Sequence, residues 1–146
     1  FNHESPRKSD QFVLRKISKA VAKIKLGLQK KIKLGNIKSK RDWGHAKDYV
    51  YAMWLINQQK KASDYIIGTG KLVSVEDFLK KAFKYVKLDY KKHLIIDKKL
   101  FRKKESQTRI ANPRKIQSKL KWKRKFNFNS LVTDMLEHDL RTIKNK

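Results

Sequence analysis

The residues with the clearest chemical potential lie between positions 34 and 50. Gly35 and Asn36 tolerate a left-handed backbone, so the chain can turn tightly there and leave backbone N–H groups facing a ligand. The guanidinium of Arg41 suits bidentate contact with phosphate or carboxylate, and Asp42 beside it is placed to hold it in position. The pattern favours an anion-facing turn. The alternative is a surface ion pair of Arg41 with Asp42 or Asp48, although isolated pairs of that kind stabilise a protein little.

Short strands and amphipathic helices are predicted to position this turn. Residues 1–10 read as a loop leaving the end of a strand. Apolar residues then recur at helical spacing from Phe12 to Leu28, in a helix expected to be capped near Ser9 or Asp10 and to fray at Gly27. The other predicted strands are 32–34, 65–67 (a buried candidate) and 94–96, and the other predicted helices are 46–59, from 74, 112–120 and from 130.

Local signals fix where several of these helices begin. Ser74 and Asp77 form a capping-box pattern, and Asn112 precedes Pro113 at the expected first helical position. In the helix from Ala46, a single face carries the side chains Val50, Met53, Trp54 and Asn57.

Gly68-Thr69-Gly70 superficially resembles a dinucleotide-binding fingerprint, because it lies between a strand candidate and a helix. The third glycine position is Val73, however, and the helix starts several residues too late to receive a pyrophosphate. A plain strand-to-helix turn is therefore favoured. The four histidines lack the spacing of metal ligands, so no metal site is predicted.

The formal net charge of +26 points to nucleic acid or an anionic membrane. The positive charge is mostly lysine and is spread along the whole chain, whereas base-reading modules favour arginine clusters with interleaved aromatic residues. The sequence therefore makes nucleic acid the less favoured partner, and a basic nucleic-acid-binding module is kept as the alternative function.

No apolar run approaches the roughly 20 residues of a membrane span. With no cysteine, the expected compartment is the cytoplasm. Because the first methionine is Met53, the chain is expected to be a fragment.

Several motifs occur in order along the chain: Asn2-His3-Glu4-Ser5-Pro6-Arg7, Leu34-Gly35-Asn36, the run from Arg41 to Val50, Phe101-Arg102, and Asn112-Pro113 with Lys115. Together they resemble the GDP-mannose 4,6-dehydratase family of extended short-chain dehydrogenases/reductases. The resemblance covers the whole chain but only the C-terminal part of the family's length. It implies an α/β fold, the C-terminal substrate-binding part of a Rossmann-type enzyme, with short strands packed with helices. Residues 1–146 would be mainly substrate-binding domain, 1–10 and 46–68 would return to the nucleotide-binding sheet, and the N-terminal NADP-binding part would be absent.

The resemblance also implies an activity and a set of site residues. The family converts GDP-mannose to GDP-4-keto-6-deoxymannose plus water with bound NADP, and its catalytic residues lie upstream, so none is expected in this chain. His3 would lie at the nicotinamide end of NADP, and Lys8 stands where the family has an arginine that contacts NADP phosphate. The substrate-binding residues would be Asn2, Lys16, Leu34, Gly35, Asn36, Arg41, Arg102 and Glu105.

In that set, Asn2, Arg41 and Arg102 would meet the sugar diphosphate, and Lys16 with residues 34–36 would line the guanosine side. Glu105 would lie near the ribose or base. The full-length enzyme is expected to be a homo-oligomer, dimer or tetramer, and the isolated chain to be inactive and poorly stable. Another nucleotide-sugar dehydratase or epimerase stays open, because the catalytic residues that would decide are not in the chain.

Overall fold

The computed structural model describes residues 1–101 and 108–145, in which short strands alternate with helices. The strands are β1 (Asn2–Glu4), β2 (Ile32–Leu34), β3 (Lys40–Arg41), β4 (Trp43–His45), β5 (Val73–Ser74) and β6 (Leu94–Ile96). The helices are α1 (Val13–Lys25), α2 (Ala46–Asn57), α3 (Val75–Tyr85), α4 (Arg114–Leu120) and α5 (Phe128–Lys144). The expected α/β class, with short strands packed with helices, is confirmed.

The strands form short pairs rather than one continuous sheet in the described residues. β1 runs parallel to β4, β2 runs parallel to β6, and β3 is antiparallel to β5. In the first pair His3 lies opposite Gly44, and in the third Arg41 lies opposite Val73. The three pairs bring the ends of β1, β2 and β3 towards the start of α1.

The main core lies between α1, α3 and α5. Each of these helices repeats apolar residues at three- and four-residue spacing, which places them on one face and drives that face out of water. A buried ion pair of Arg15 with Asp139 ties α1 to α5, and the hydroxyl of Ser18 donates to the same carboxylate at 2.7 Å. The buried apolar side chains include Leu14, Ile17, Val21, Phe78, Leu79, Phe83, Met135 and Leu136.

The start of α3 confirms the capping box that the sequence predicts. The backbone N–H of Asp77 donates to Ser74 Oγ at 3.0 Å, and Asp77 Oδ2 accepts from the backbone N–H of Ser74 at 2.9 Å. Both hydrogen bonds satisfy N–H groups that a helix start leaves without partners.

The start of α1 differs from the prediction. Its N-cap is Phe12, which makes no side-chain cap, rather than Ser9 or Asp10. The Asp10 carboxylate is drawn away by basic side chains of the helix itself, since it pairs with Lys19 and lies 3.9 Å from Arg15 Nε. These contacts, chiefly the hydrogen bond from Lys19, hold the pKa of Asp10 below its usual value.

The predicted buried strand at 65–67 is wrong for this chain. These residues form no strand, and the side chain of Ile66 is 49% exposed. A strand needs a partner along its edge. Within residues 1–101 and 108–145, the backbone contact to this segment is the Phe1 amino group donating to the Ile67 carbonyl at 3.0 Å.

Two helix boundaries also shift. α5 starts at Phe128, two residues before the predicted Ser130, and is capped by Asn127. Pro113 occupies the cap of α4 instead of its first turn, while Asn112 Oδ1 accepts from the backbone N–H of Arg114 at 3.2 Å.

The apolar face predicted for helix α2 is exposed in the structure. Its buried residues are Asp48, Tyr49 and Ala52, whereas Val50, Met53 and Trp54 of the predicted face are about half exposed or more. No described helix has the length and apolar character that crossing a membrane requires.

Candidate substrate-binding pocket

A pocket of about 520 Å³ opens where β1, β3 and β4 meet the turn after β2 and the start of α1. Its polar side chains are supplied by the strands, that turn and α1, and its apolar wall comes from several elements. The lining residues of that wall are Phe12, Val13, Ile37, Trp43, Val75 and Leu100. An apolar wall with a few convergent polar groups is typical of a small-molecule site.

Most of the binding residues inferred from sequence line this one pocket. They are Asn2, Lys8, Lys16, Leu34, Gly35, Asn36 and Arg41, which are up to 39 positions apart in the chain. Arg102 and Glu105 lie outside the described residues. Their inferred roles therefore stay predictions.

His3 is placed differently, because neighbouring residues of a strand point to opposite faces. Asn2 and Glu4 line the pocket, and His3 lies against the ring of Tyr49, with the ring centroids 5.2 Å apart. Tyr49 is buried beside Gly44, where an added Cβ would lie 2.3 Å from its ring. Burial raises the pKa of Tyr49 well above its usual value.

The turn after β2 needs Gly35 for close approach and not for a left-handed backbone. A Cβ at Gly35 would lie 2.6 Å from the carbonyl oxygen of Leu100, and neither Gly35 nor Asn36 has positive φ. Asn36 Oδ1 accepts from the backbone N–H of Lys38 at 2.9 Å, which closes a short Asx turn. The expectation of a left-handed conformation here is thus wrong, while the tight turn is confirmed.

Arg41 and Asp42 face opposite directions. Arg41 lines the pocket, and its Nη1 donates to the Lys40 carbonyl at 2.6 Å. Asp42 is fully buried, and its carboxylate accepts hydrogen bonds from Thr69, Gly70 and Ala111. Asp42 therefore organises a second turn, which is not the role of holding Arg41 in position that the sequence suggested.

That second turn is the segment Gly68-Thr69-Gly70. Gly70 has φ +70°, and the backbone N–H groups of Thr69 and Gly70 donate to Asp42 at 2.8 and 2.9 Å. N–H groups held by a carboxylate cannot also hold a phosphate, so the simple turn is confirmed over a dinucleotide fingerprint.

Lys8 lies at the border between the pocket and His3. Its ammonium donates to the His3 carbonyl at 3.3 Å and stands 4.1 Å from the centroid of the Phe12 ring. Lys8 thus reaches both the pocket and the backbone of the residue that faces the other side of β1.

Glu4 is the buried acidic residue among the lining residues that the sequence-based inference missed. It is 4% exposed, and burial raises the pKa of its carboxyl to about 7 against the opposing charge of Lys8. No described residue hydrogen-bonds its Oε2. The available signal was its two-residue spacing from Asn2, which puts both side chains on one face of the strand.

The charge in the pocket is therefore uneven. Lys8, Lys16 and Arg41 are cationic, and burial partly suppresses the negative charge of Glu4 near neutral pH. Such a pocket suits an anionic ligand that also carries hydroxyl groups. Among the described residues no cluster of His, Asp and Glu could hold a metal ion.

Solved structures with this architecture share a Rossmann-type fold. RMD from Pseudomonas aeruginosa, complexed with NADPH, superposes with a TM-score of 0.87 at 19% identity, over 97% of this chain and 47% of that one. A dTDP-glucose 4,6-dehydratase from Bacillus anthracis, in complex with NAD, gives a TM-score of 0.79 at 16% identity, over 98% of this chain and 43% of that one. At this identity the likeness shows the fold alone, which solved dehydratases and epimerases share.

Sequence comparison narrows the class to one family. The model of the GDP-mannose 4,6 dehydratase family matches residues 1–135. GDP-mannose 4,6 dehydratase 1 of Arabidopsis thaliana is 47% identical over 144 residues, covering 99% of this chain and 40% of that protein. The human GDP-mannose 4,6 dehydratase is 40% identical over 99% of this chain and 43% of its own length. The chain belongs to the GDP-mannose 4,6-dehydratase family and spans less than half the length of these relatives.

Proposed function

We propose that this chain supplies the GDP-sugar-binding part of an enzyme that converts GDP-mannose to GDP-4-keto-6-deoxymannose plus water. The observation that carries the proposal is the pocket itself, since Asn2, Lys16, Gly35, Asn36 and Arg41 come from separate segments to line it. Membership of the family supports the choice of substrate.

The proposed diphosphate site is centred on Arg41, a cationic side chain of the pocket lining. Arg41 lines the pocket from β3, and a guanidinium offers two parallel N–H donors to a phosphate. Lys16 on α1 lines the same pocket and belongs to the proposed guanosine side. Asn2 adds a neutral amide that can donate to the same oxygens. Arg102 and Glu105 complete the proposed set.

The turn after β2 receives the guanosine side of the ligand. The Leu100 carbonyl leaves no room for a side chain at Gly35, so the backbone forms this wall. The aliphatic and aromatic wall residues beside it exclude water, which strengthens the polar contacts. Leu34 and Asn36 flank the same wall.

His3 and Lys8 form the proposed edge towards NADP. The support for that role is that the Lys8 ammonium contacts the His3 carbonyl, so a positive charge of the pocket lining lies next to the strand residue whose imidazole faces Tyr49. Bound NADP would supply hydride transfer from and back to the sugar. Lys8 would hold a cofactor phosphate as a point charge. Relatives of this fold are described with NADPH or with NAD, which supports a nicotinamide cofactor.

The rest of the full-length enzyme would cover the exposed side of α2. Val50, Met53 and Trp54 form an apolar face in contact with water, and segments 1–10 and 46–68 are proposed to complete the nucleotide-binding sheet there. The proposal includes a cytoplasmic homo-oligomer for the full-length enzyme.

Titration calorimetry tests the binding function. The chain is expected to bind GDP-mannose and GDP and to ignore UDP-glucose. Arg41→Ala should weaken both GDP ligands by about 10- to 100-fold, since a charge-assisted contact is lost. Arg141→Ala on the exposed side of α5 is the matched control and should bind as the unmodified chain does. Equal binding of GDP and UDP ligands would favour another nucleotide-sugar enzyme.

Two further measurements address the alternatives. Tight binding of duplex DNA that falls steeply with salt and is indifferent to GDP would favour a nucleic-acid-binding module. Because the catalytic residues are expected outside this chain, it should not turn over GDP-mannose alone, and turnover would contradict the proposal.

A further inference from the structure

Glu4 presents an unusual combination of burial and an unpaired acceptor. Its side chain lines the pocket and is 4% exposed, yet Oε2 has no hydrogen-bond partner among the described residues. A buried acceptor left without a donor is costly, so such atoms in folded proteins normally have a partner. Because Glu4 also lines the pocket, a ligand bound there is the candidate partner.

The missing partner of Glu4 Oε2 must be a hydrogen-bond donor, because a carboxylate oxygen accepts hydrogen bonds. A diphosphate has only acceptor oxygens at neutral pH and would repel an ionised Glu4, whereas a sugar hydroxyl can donate. Arg41 lines the same pocket and suits the diphosphate. We therefore expect Arg41 to contact the diphosphate and the Glu4 carboxyl group to contact a hydroxyl group of the ligand.

Position favours the hexose over the ribose as the source of that hydroxyl. Glu4 and Lys8 both line the pocket from the β1 side, where the charge of Lys8 acts on the Glu4 carboxyl and the Lys8 ammonium contacts the His3 carbonyl. Under the proposed function NADP approaches at this edge, so the hexose that exchanges a hydride with it would lie beside Glu4.

We propose that Glu4 is a substrate-positioning residue whose carboxyl group accepts a hydrogen bond from a hydroxyl group of the hexose. This inference rests on the proposed function. It assigns Glu4 to discrimination between a GDP-sugar and GDP alone, because GDP lacks the hexose.

The test compares GDP-mannose with GDP by titration calorimetry on the whole chain. Glu4→Met keeps the size of the side chain and removes both oxygens, so GDP-mannose should bind about tenfold more weakly while GDP stays within about twofold. Glu4→Gln keeps a neutral acceptor and should restore part of the loss. Glu137→Met, at an exposed position of α5, should leave both affinities unchanged.

Each other outcome has a defined meaning. Unchanged binding of GDP-mannose by Glu4→Met, in a chain that binds both ligands, overturns this inference and leaves the proposed function intact. If Glu4→Met and Glu4→Gln each weaken GDP and GDP-mannose equally, the hexose contact is overturned in favour of a ribose contact or of a pocket deformed by the substitution. A chain that binds neither ligand overturns the proposed function itself. Thermal melts of the variants identify any that fail to fold.

Discussion

His45 Nε2 lies 3.0 Å from Asp134 Oδ2, although the two residues are 89 positions apart in the sequence. The other ring nitrogen, Nδ1, accepts from the backbone N–H of Lys47 at 3.1 Å, so the hydrogen of the neutral ring is on Nε2 and Asp134 accepts it. The ring is buried and stacks on Phe126 with centroids 3.8 Å apart. One histidine thus joins β4, α2 and α5, and supports the strand that pairs with β1.

Removing the Asp134 carboxylate should destabilise the fold, because the Nε2–H group of His45 loses its acceptor. Asp134→Ala leaves a buried N–H without a partner and is expected to lower the free energy of unfolding by about 1–3 kcal/mol. Urea denaturation measures the loss. Asp134→Asn keeps an acceptor oxygen and should lose less. Equal stability of Asp134→Ala and the unmodified chain would show that the hydrogen bond contributes little.

Asp42 should matter more for stability than its surface neighbours. It is fully buried and accepts four hydrogen bonds from the second turn and Ala111, so Asp42→Asn would aim an amide N–H₂ at N–H donors. We expect a loss of roughly 2–4 kcal/mol in urea denaturation. The exposed Asp64→Asn is the control and should change stability by less than about 0.5 kcal/mol. A similar small change in both variants would refute the role of Asp42.

Local signals predicted the helices well where nothing distant competed. The Ser74 and Asp77 box requires only neighbouring residues, and it forms as the sequence indicates. The cap of α1 was misplaced because Asp10 pairs with Lys19, nine positions away along the chain. Residues 65–67 have the composition of a strand. They form none in the structure, because strand formation also needs a neighbouring strand to pair with.

The pocket was predicted by family resemblance more than by physical pattern. Nothing in the local sequence brings Asn2, Lys16 and Arg41 together, since that depends on how the three strand pairs meet α1. Glu4 was missed because burial and an unpaired oxygen are properties of the assembled fold. Asp42 was misassigned because strand alternation, rather than adjacency in sequence, decides which side chain faces the pocket.

Gly35→Ala tests the close approach at the guanosine side. The new methyl group would lie 2.6 Å from the Leu100 carbonyl oxygen, so one segment must move. Overpacking of this kind should cost about 1–3 kcal/mol of stability and weaken GDP binding. Thermal melts and GDP titration measure the two effects. Lys33→Ala, at an exposed position in β2, is the control, and an unchanged Gly35→Ala variant would mean that the turn adapts freely.

The outer face of α2 offers a direct optical test of the proposed domain arrangement. Trp54 is 55% exposed, whereas Trp43 and Trp122 are 7% and 1% exposed, so acrylamide should quench mainly Trp54. Adding the N-terminal part of the Arabidopsis relative is expected to protect this fluorescence. Trp54→Phe should abolish the quenchable component, which checks the assignment. Undiminished quenching in the presence of the added part would argue against α2 as the covered surface.

Glu4 should make the stability of the chain depend on pH near neutrality. Burial raises the pKa of the native carboxyl to about 7 from 4.5, so between these values the native state binds more protons than the unfolded state. The free energy of unfolding therefore falls as pH rises through this window, by at most about 3 kcal/mol, and levels off above it. Glu4→Gln cannot titrate, so its stability relative to the unmodified chain should increase from pH 4.5 to 8 in urea denaturation. A difference that stays constant with pH would show that Glu4 ionises normally in the folded chain.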